Sequence, residues 1–293
     1  MDGVRIALST GNTVGGTTTG DRNLISGNNG PGVNITGAAS SNNKVLGNYI
    51  GTNAEGVSAV GNLNGVVIDG ASATSIGSVT PGSGNLISGN SLNGLFVRGN
   101  NTVVYGNSIG TNALATGAIP NGAATDGGFV AGIFVTNPSS NTVIGGSTPA
   151  ERNIVSGNRG DGIAVWNYAG PEPNVTTGVR ILGNYIGVQA DGESALGNTV
   201  LPGVPYFGAG VSVRNYASDI TVGGLSAGEG NIIAHHTHDG VVAFSGSQLK
   251  ILGNSIHHDT AGVAIYGVDS AVVSGNSILS NIAGGVILNG ATH

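Results

Sequence analysis

The chain has 293 residues, of which 55 are glycine and only 8% are charged; the net charge is −6 and cysteine is absent. The lack of cysteine excludes disulfides and thiolate chemistry, and nine scattered basic residues form no patch for nucleic acid. No apolar run is long enough to cross a membrane as a helix. Glycine and asparagine at this density break helices, while abundant valine and isoleucine favour strands.

The predicted elements are short strands that recur along the chain. The first is GVRI at 3–6, and MDGVRIALST opens directly in this unit rather than in a signal peptide. RNLISGN follows at 22–28, GVNI at 32–35 and KVLGNYIG at 44–51. After an insertion at about 52–64 come GVVI (65–68), GNLISGN (84–90), GLFV (94–97) and VVYGNSIG (103–110). A second insertion, 113–131, precedes GIFV (132–135), RNIVSGN (152–158) and GIAV (162–165). Further insertions at 168–178 and 189–209 flank RILGNYIG (180–187) and lead into GVSV (210–213). The remaining units, GVVA (240–243), KILGNSIH (250–257), GVAI (262–265), VVSGNSIL (272–279) and GVIL (285–288), are spaced by 22 or 23 residues.

Three β-branched segments per cycle, separated by Gly, Asn, Ser or Asp, describe one coil of a solenoid. Period-two alternation points Val66 and Ile68 inward and Val67 and Asp69 outward. Corner asparagines such as Asn48, Asn107, Asn184, Asn254 and Asn276 are placed to pass amide hydrogen bonds from coil to coil. The expectation is an all-β, right-handed parallel β-helix, about ten coils of three short strands, forming one domain over residues 1–293 with long insertions in the central coils.

The units GVxI, RNxISGN and LGNYIGTNAEGVSAVGN give the chain a resemblance to right-handed parallel β-helix repeat proteins. That group includes pectate-lyase-like enzymes and long bacterial surface proteins. The resemblance implies a fold but hosts several chemistries. Polygalacturonase-like enzymes carry an adjacent Asp pair, a Gly-His-Gly and an Arg-x-Lys, none of which occurs here. Mannuronan epimerases carry Asp-Pro-His-Asp, of which His236-Thr237-His238-Asp239 is a partial echo. In lyase-like relatives the substrate cleft lies on an outward sheet face walled by loops.

On the corresponding face the outward positions include Phe96, Arg98, Phe134, Trp166, Arg214, Phe244 and Tyr266, the candidate substrate-binding residues. Tyr168 and Tyr216 follow closely. Rings on this face suit a polysaccharide, unless the loops fold over them.

A second anomaly is GNIIAHHTHDG at 230–240, where other coils read Ser-Gly-Asn. Aligning Asn231 with Asn254 sets Ala234 over His257, His235 over His258 and His236 over Asp259. His236, His238, Asp239, His258 and Asp259 are therefore the candidate acid/base residues. The same cluster is open to two other readings: a corner that stacks as asparagine does, or a metal site. No metal ligand set and no cofactor is assigned.

The leading expectation is a non-catalytic stalk or adhesin-like module, secreted or on a bacterial cell surface. The alternative is a polysaccharide lyase, hydrolase, epimerase or carbohydrate binder. GGVILNGATH stops within a repeat, which suggests a segment of a longer chain or a unit that associates end to end.

Overall fold

The computed structural model describes residues 1–122, 129–167, 175–200 and 208–290. The chain is a right-handed parallel β-helix: every strand ladder is parallel and pairs each coil with the next one in sequence. One ladder carries the GVxI units, from Val4–Ala7 through Val33–Thr36 to Gly284–Asn289. A second runs from Thr13–Gly15 to Val272–Ser274 and shares a sheet with the first. The third is a separate nine-stranded sheet from Leu24–Ile25 to Ser277–Leu279. A 3-10 turn, Thr19–Asp21, is the only helical element among the described residues. No helix there is long and apolar enough to cross a membrane.

The alternation read from the sequence sets the core. Val33, Ile35, Val66, Ile68, Ile163, Val165 and Val263 point inward with no solvent exposure. Register aligns them as columns, Val33 on Val66 and Ile35 on Ile68. One detail departs from the expected outward column. The register shifts after Ile35, so Thr36 pairs with Gly70, and Asp69 lies opposite Arg98.

Two asparagine ladders line the corners. The first runs Asn23, Asn48, Asn85, Asn107, Asn153, Asn184, Asn231, Asn254 and Asn276; each residue's backbone N–H donates to the next side-chain oxygen. The second begins Asn28, Asn62, Asn90, Asn121, Asn158 and Asn198. Asn62 shows the full pattern. Its N–H and Nδ2 both donate to Asn90 Oδ1, at 3.2 and 3.0 Å, and Nδ2 also donates to the Ile25 carbonyl at 2.9 Å. Buried turn groups are thereby satisfied without water.

The insertions differ from simple loops. Residues 52–59, 111–118 and 188–195 form excursions closed by antiparallel bridges between Thr52 and Ala59, Thr111 and Ala118, and Val188 and Ala195. They arise on alternate coils and stack: Ala113 N–H donates to the Gly56 carbonyl and Ala190 N–H to the Ala115 carbonyl. Each returns the chain to the second asparagine ladder at Asn62, Asn121 or Asn198. Parts of the expected insertions, including Tyr168, lie outside the described residues.

Candidate functional site

The outward face of the GVxI ladder divides into three parts. At Phe96 and Phe134 the rings meet edge to face, 5.6 Å between centroids. Phe134 and Trp166 are buried, at 1% and 5% exposure, and Phe129 covers Trp166 with its ring centroid 3.9 Å away. These two candidate binding residues therefore form a small outer core with Ala131 and Ala164. Arg98 is separate and exposed; its guanidinium pairs with Asp69 at 2.6 Å.

Arg214, Phe244 and Tyr266 occupy one register position on successive coils. Arg214 lies over both Trp166 and Phe244, 5.3 and 4.9 Å from the ring centroids. Phe244 and Tyr266 stack 4.9 Å apart at 10°. This spacing matches the distance between neighbouring strands. The mutual faces of the rings are thus turned along the helix axis toward each other, not outward.

Beside Arg214 lies a polar cluster that sequence reading found only in part. Asp161 is buried and accepts hydrogen bonds from the N–H groups of Gly208 and Ala209 and from Ser212 Oγ, at 2.9, 3.0 and 2.5 Å. Burial pushes its carboxyl up, against the Arg214 charge and these hydrogen bonds. His238 Nδ1 lies 3.1 Å from Asp239 Oδ2, and Asp239 Oδ1 accepts from Ala261 N–H. The adjacent Asp239 carboxylate raises the His238 imidazole above its ordinary value, against its burial. Asp161 precedes a ladder glycine, a slot that holds Asp2 and Asp239 in two other coils and Pro, Asn, Ala or Gly in the rest, so nothing local sets it apart. Ser212 gave no signal.

The remaining acid/base candidates sit elsewhere. His236 and Asp259 are buried rungs of the second asparagine ladder. Asn198 N–H donates to His236 Nδ1, and His236 Nε2 lies 3.2 Å from the Ile186 carbonyl. This pairing requires a lone pair on Nδ1 and a proton on Nε2, which is the neutral ring. Burial accordingly lowers the imidazole to about 3. Asp259 Oδ1 accepts from His236 N–H at 2.8 Å, and Asp259 N–H donates to Asn281. Its Oδ2 is buried without a hydrogen-bond partner. Burial pushes this carboxyl up to about 8.

His258 belongs to a third group. The corner glycines of earlier coils, Gly27, Gly89 and Gly157, have φ of 72, 75 and 69°. His235 and His258 take that slot with φ of 64 and 59°, a conformation costing a side-chain-bearing residue about 1–2 kcal/mol. Register places Ala234 on His257, as the alignment of Asn231 with Asn254 requires. The five acid/base candidates are therefore not one constellation. Two are ladder rungs, two form the His238–Asp239 pair, and one lies at a histidine corner.

No family model matches the sequence, and no curated protein matches it. Solved structures are similar in fold. An alginate lyase from Paenibacillus sp. str. FPU-7 aligns over 96% of this chain and 83% of its own, at 15% identity and a TM-score of 0.47. The periplasmic alginate epimerase AlgG aligns over 83% of this chain at 12% identity and a TM-score of 0.36; the alignment spans 54% of that epimerase. PfbA, a surface adhesin of Streptococcus pneumoniae, aligns over 87% of this chain and 71% of its own, at 13% identity and a TM-score of 0.36.

Proposed function

We propose that the chain is a rigid, non-catalytic β-helix module of a secreted or bacterial cell-surface protein, serving as a stalk or adhesin-like segment. The observation that carries this reading is the direction of side-chain bonding. Asparagines, aromatic rings and even His236 and Asp259 spend their hydrogen bonds and ring faces on the neighbouring coil. Groups committed in this way stiffen a rod but are not free to grip or transform a ligand.

A second reading has an observation of its own. The Asp161, Ser212, Arg214, His238 and Asp239 cluster combines a buried carboxyl, a raised imidazole and a guanidinium. Such perturbed groups in proximity are the usual material of acid/base catalysis, and a polysaccharide is the substrate class that fits an outward β-helix face.

Mass spectrometry of soluble products, after incubation with neutral and acidic polysaccharides, separates the two readings. A stalk releases no new oligosaccharides. Products that appear with the wild type and vanish with His238→Ala overturn the non-catalytic reading and assign the chemistry to this cluster.

A further inference from the structure

We propose that His235, His257 and His258 form a binding site for a divalent transition-metal ion of the zinc class, which joins two successive coils. One ligand nitrogen from each ring lies within 4.8 Å of the other two. The Nδ1 atoms of His257 and His258 approach to 2.9 Å. Two bare lone pairs repel at that distance, so this contact requires a shared proton or a shared cation. Nitrogen ligands on one tetrahedral zinc stand about 3.3 Å apart, given bonds of about 2.0–2.1 Å. The 2.9 Å separation and the 4.8 Å limit on the others lie close enough to that value for small side-chain rotations to reach it.

The backbone holds the rings in place. The His235 ring stacks on His258 at 5.0 Å and 11°, and His235 N–H donates to the His257 carbonyl at 3.3 Å. His257 ends the strand Ser255–His257, whose partner is Ile232–Ala234. The site thus sits where a strand ladder turns a corner, with His257 in the ladder and His235 and His258 in the corner slots that follow it. His235 and His257 are half-buried and His258 is exposed, which gives an ion a way in and leaves a coordination position for water.

The donor set selects the ion. Three imidazoles without a carboxylate suit zinc, nickel or copper and do not suit calcium or magnesium, which prefer oxygen. The site goes beyond the stalk reading and does not depend on it.

The test uses the full chain, stripped with chelator and dialysed against zinc chloride, with bound metal measured by plasma mass spectrometry. The expected result is one zinc bound per chain, lost in His257→Ala and in His258→Ala. His238→Gln retains it. Zinc also raises the melting temperature of the wild type, because it binds the folded corner preferentially. Diethylpyrocarbonate footprinting of the wild type gives a readout that needs no variant: zinc protects His235, His257 and His258 and leaves His238 reactive. Absence of bound zinc in the wild type overturns the proposal. So does full zinc retention by a folded His257→Ala/His258→Ala variant, or a footprint that zinc leaves unchanged.

Discussion

From Asn28 to Asn198 the second corner ladder is built of asparagine alone, whereas the next two rungs are His236 and Asp259. The backbone makes the same demand in both regions. Each rung must accept from the N–H of the preceding coil, and its far side faces a carbonyl. Asparagine meets both requirements without titrating. Neutral histidine meets them in one tautomer, Nδ1 accepting and Nε2–H donating. Aspartate meets only the first unless it carries a proton, which agrees with its unpartnered Oδ2 and raised carboxyl. The comparison shows that a repeat constrains the hydrogen-bonding pattern of a slot more tightly than its residue type. Histidine and aspartate together in one corner are therefore weak evidence for catalysis.

The largest blow to both regions is one that strikes the aliphatic columns they share. Ile68→Asp inserts a charge at a fully buried position and is expected to cost roughly 4 kcal/mol or more, read as loss of the cooperative melting transition. Next is Asn158→Ala in the all-asparagine region. It removes the side-chain oxygen that accepts from Asn121 and the Nδ2 that donates to Ile109 and Asn198. The expected loss is about 2–4 kcal/mol by urea unfolding.

In the His/Asp region the sign reverses. Asp259→Asn is expected to gain about 1–3 kcal/mol at neutral pH, because asparagine supplies the donor that an ionised aspartate lacks. The pattern of the other rungs makes the Ile233 carbonyl its acceptor. The gain depends on pH, and chelator keeps metal from contributing. The folded carboxyl stands near 8 instead of 3.8, so its contribution is fully present below about pH 4 and is lost as pH rises toward about 8. Unfolding curves of wild type and Asp259→Asn should therefore converge in acid and separate in base. The smallest effect is expected outside both regions: Arg98→Ala breaks the exposed pair with Asp69 and should change stability by less than about 1 kcal/mol.

Much of this fold is legible in the sequence, for physical reasons. The inward parity of Val66 and Ile68 is visible because a strand alternates faces at each residue. The alignment of Asn231 with Asn254 is visible because the last coils are nearly equal in length. What escapes the sequence depends on unequal coils and on side-chain reach. Asp161 and Ser212 meet only because an insertion of variable length returns the chain beside the same ladder, so no fixed spacing marks the pair. Burial of Trp166 depends on Phe129, which lies in a different coil and obeys no repeat. The stacked orientation of Phe244 and Tyr266 is also hidden: parity puts both rings on the outer face but leaves their planes undetermined. The alignment of Asn231 with Asn254 already sets His236 over Asp259 in the corner-asparagine slot; what it leaves hidden is that the His235, His257 and His258 rings converge, which depends on side-chain direction.

The most direct measurement is thermal unfolding, in chelator at neutral pH, of the double variant His236→Asn/Asp259→Asn, which makes the second ladder asparagine at both positions. If the two residues are hydrogen-bonding rungs, the variant folds and melts at or above the wild-type temperature. A marked fall in melting temperature would contradict that role and return His236 and Asp259 to the search for an active site.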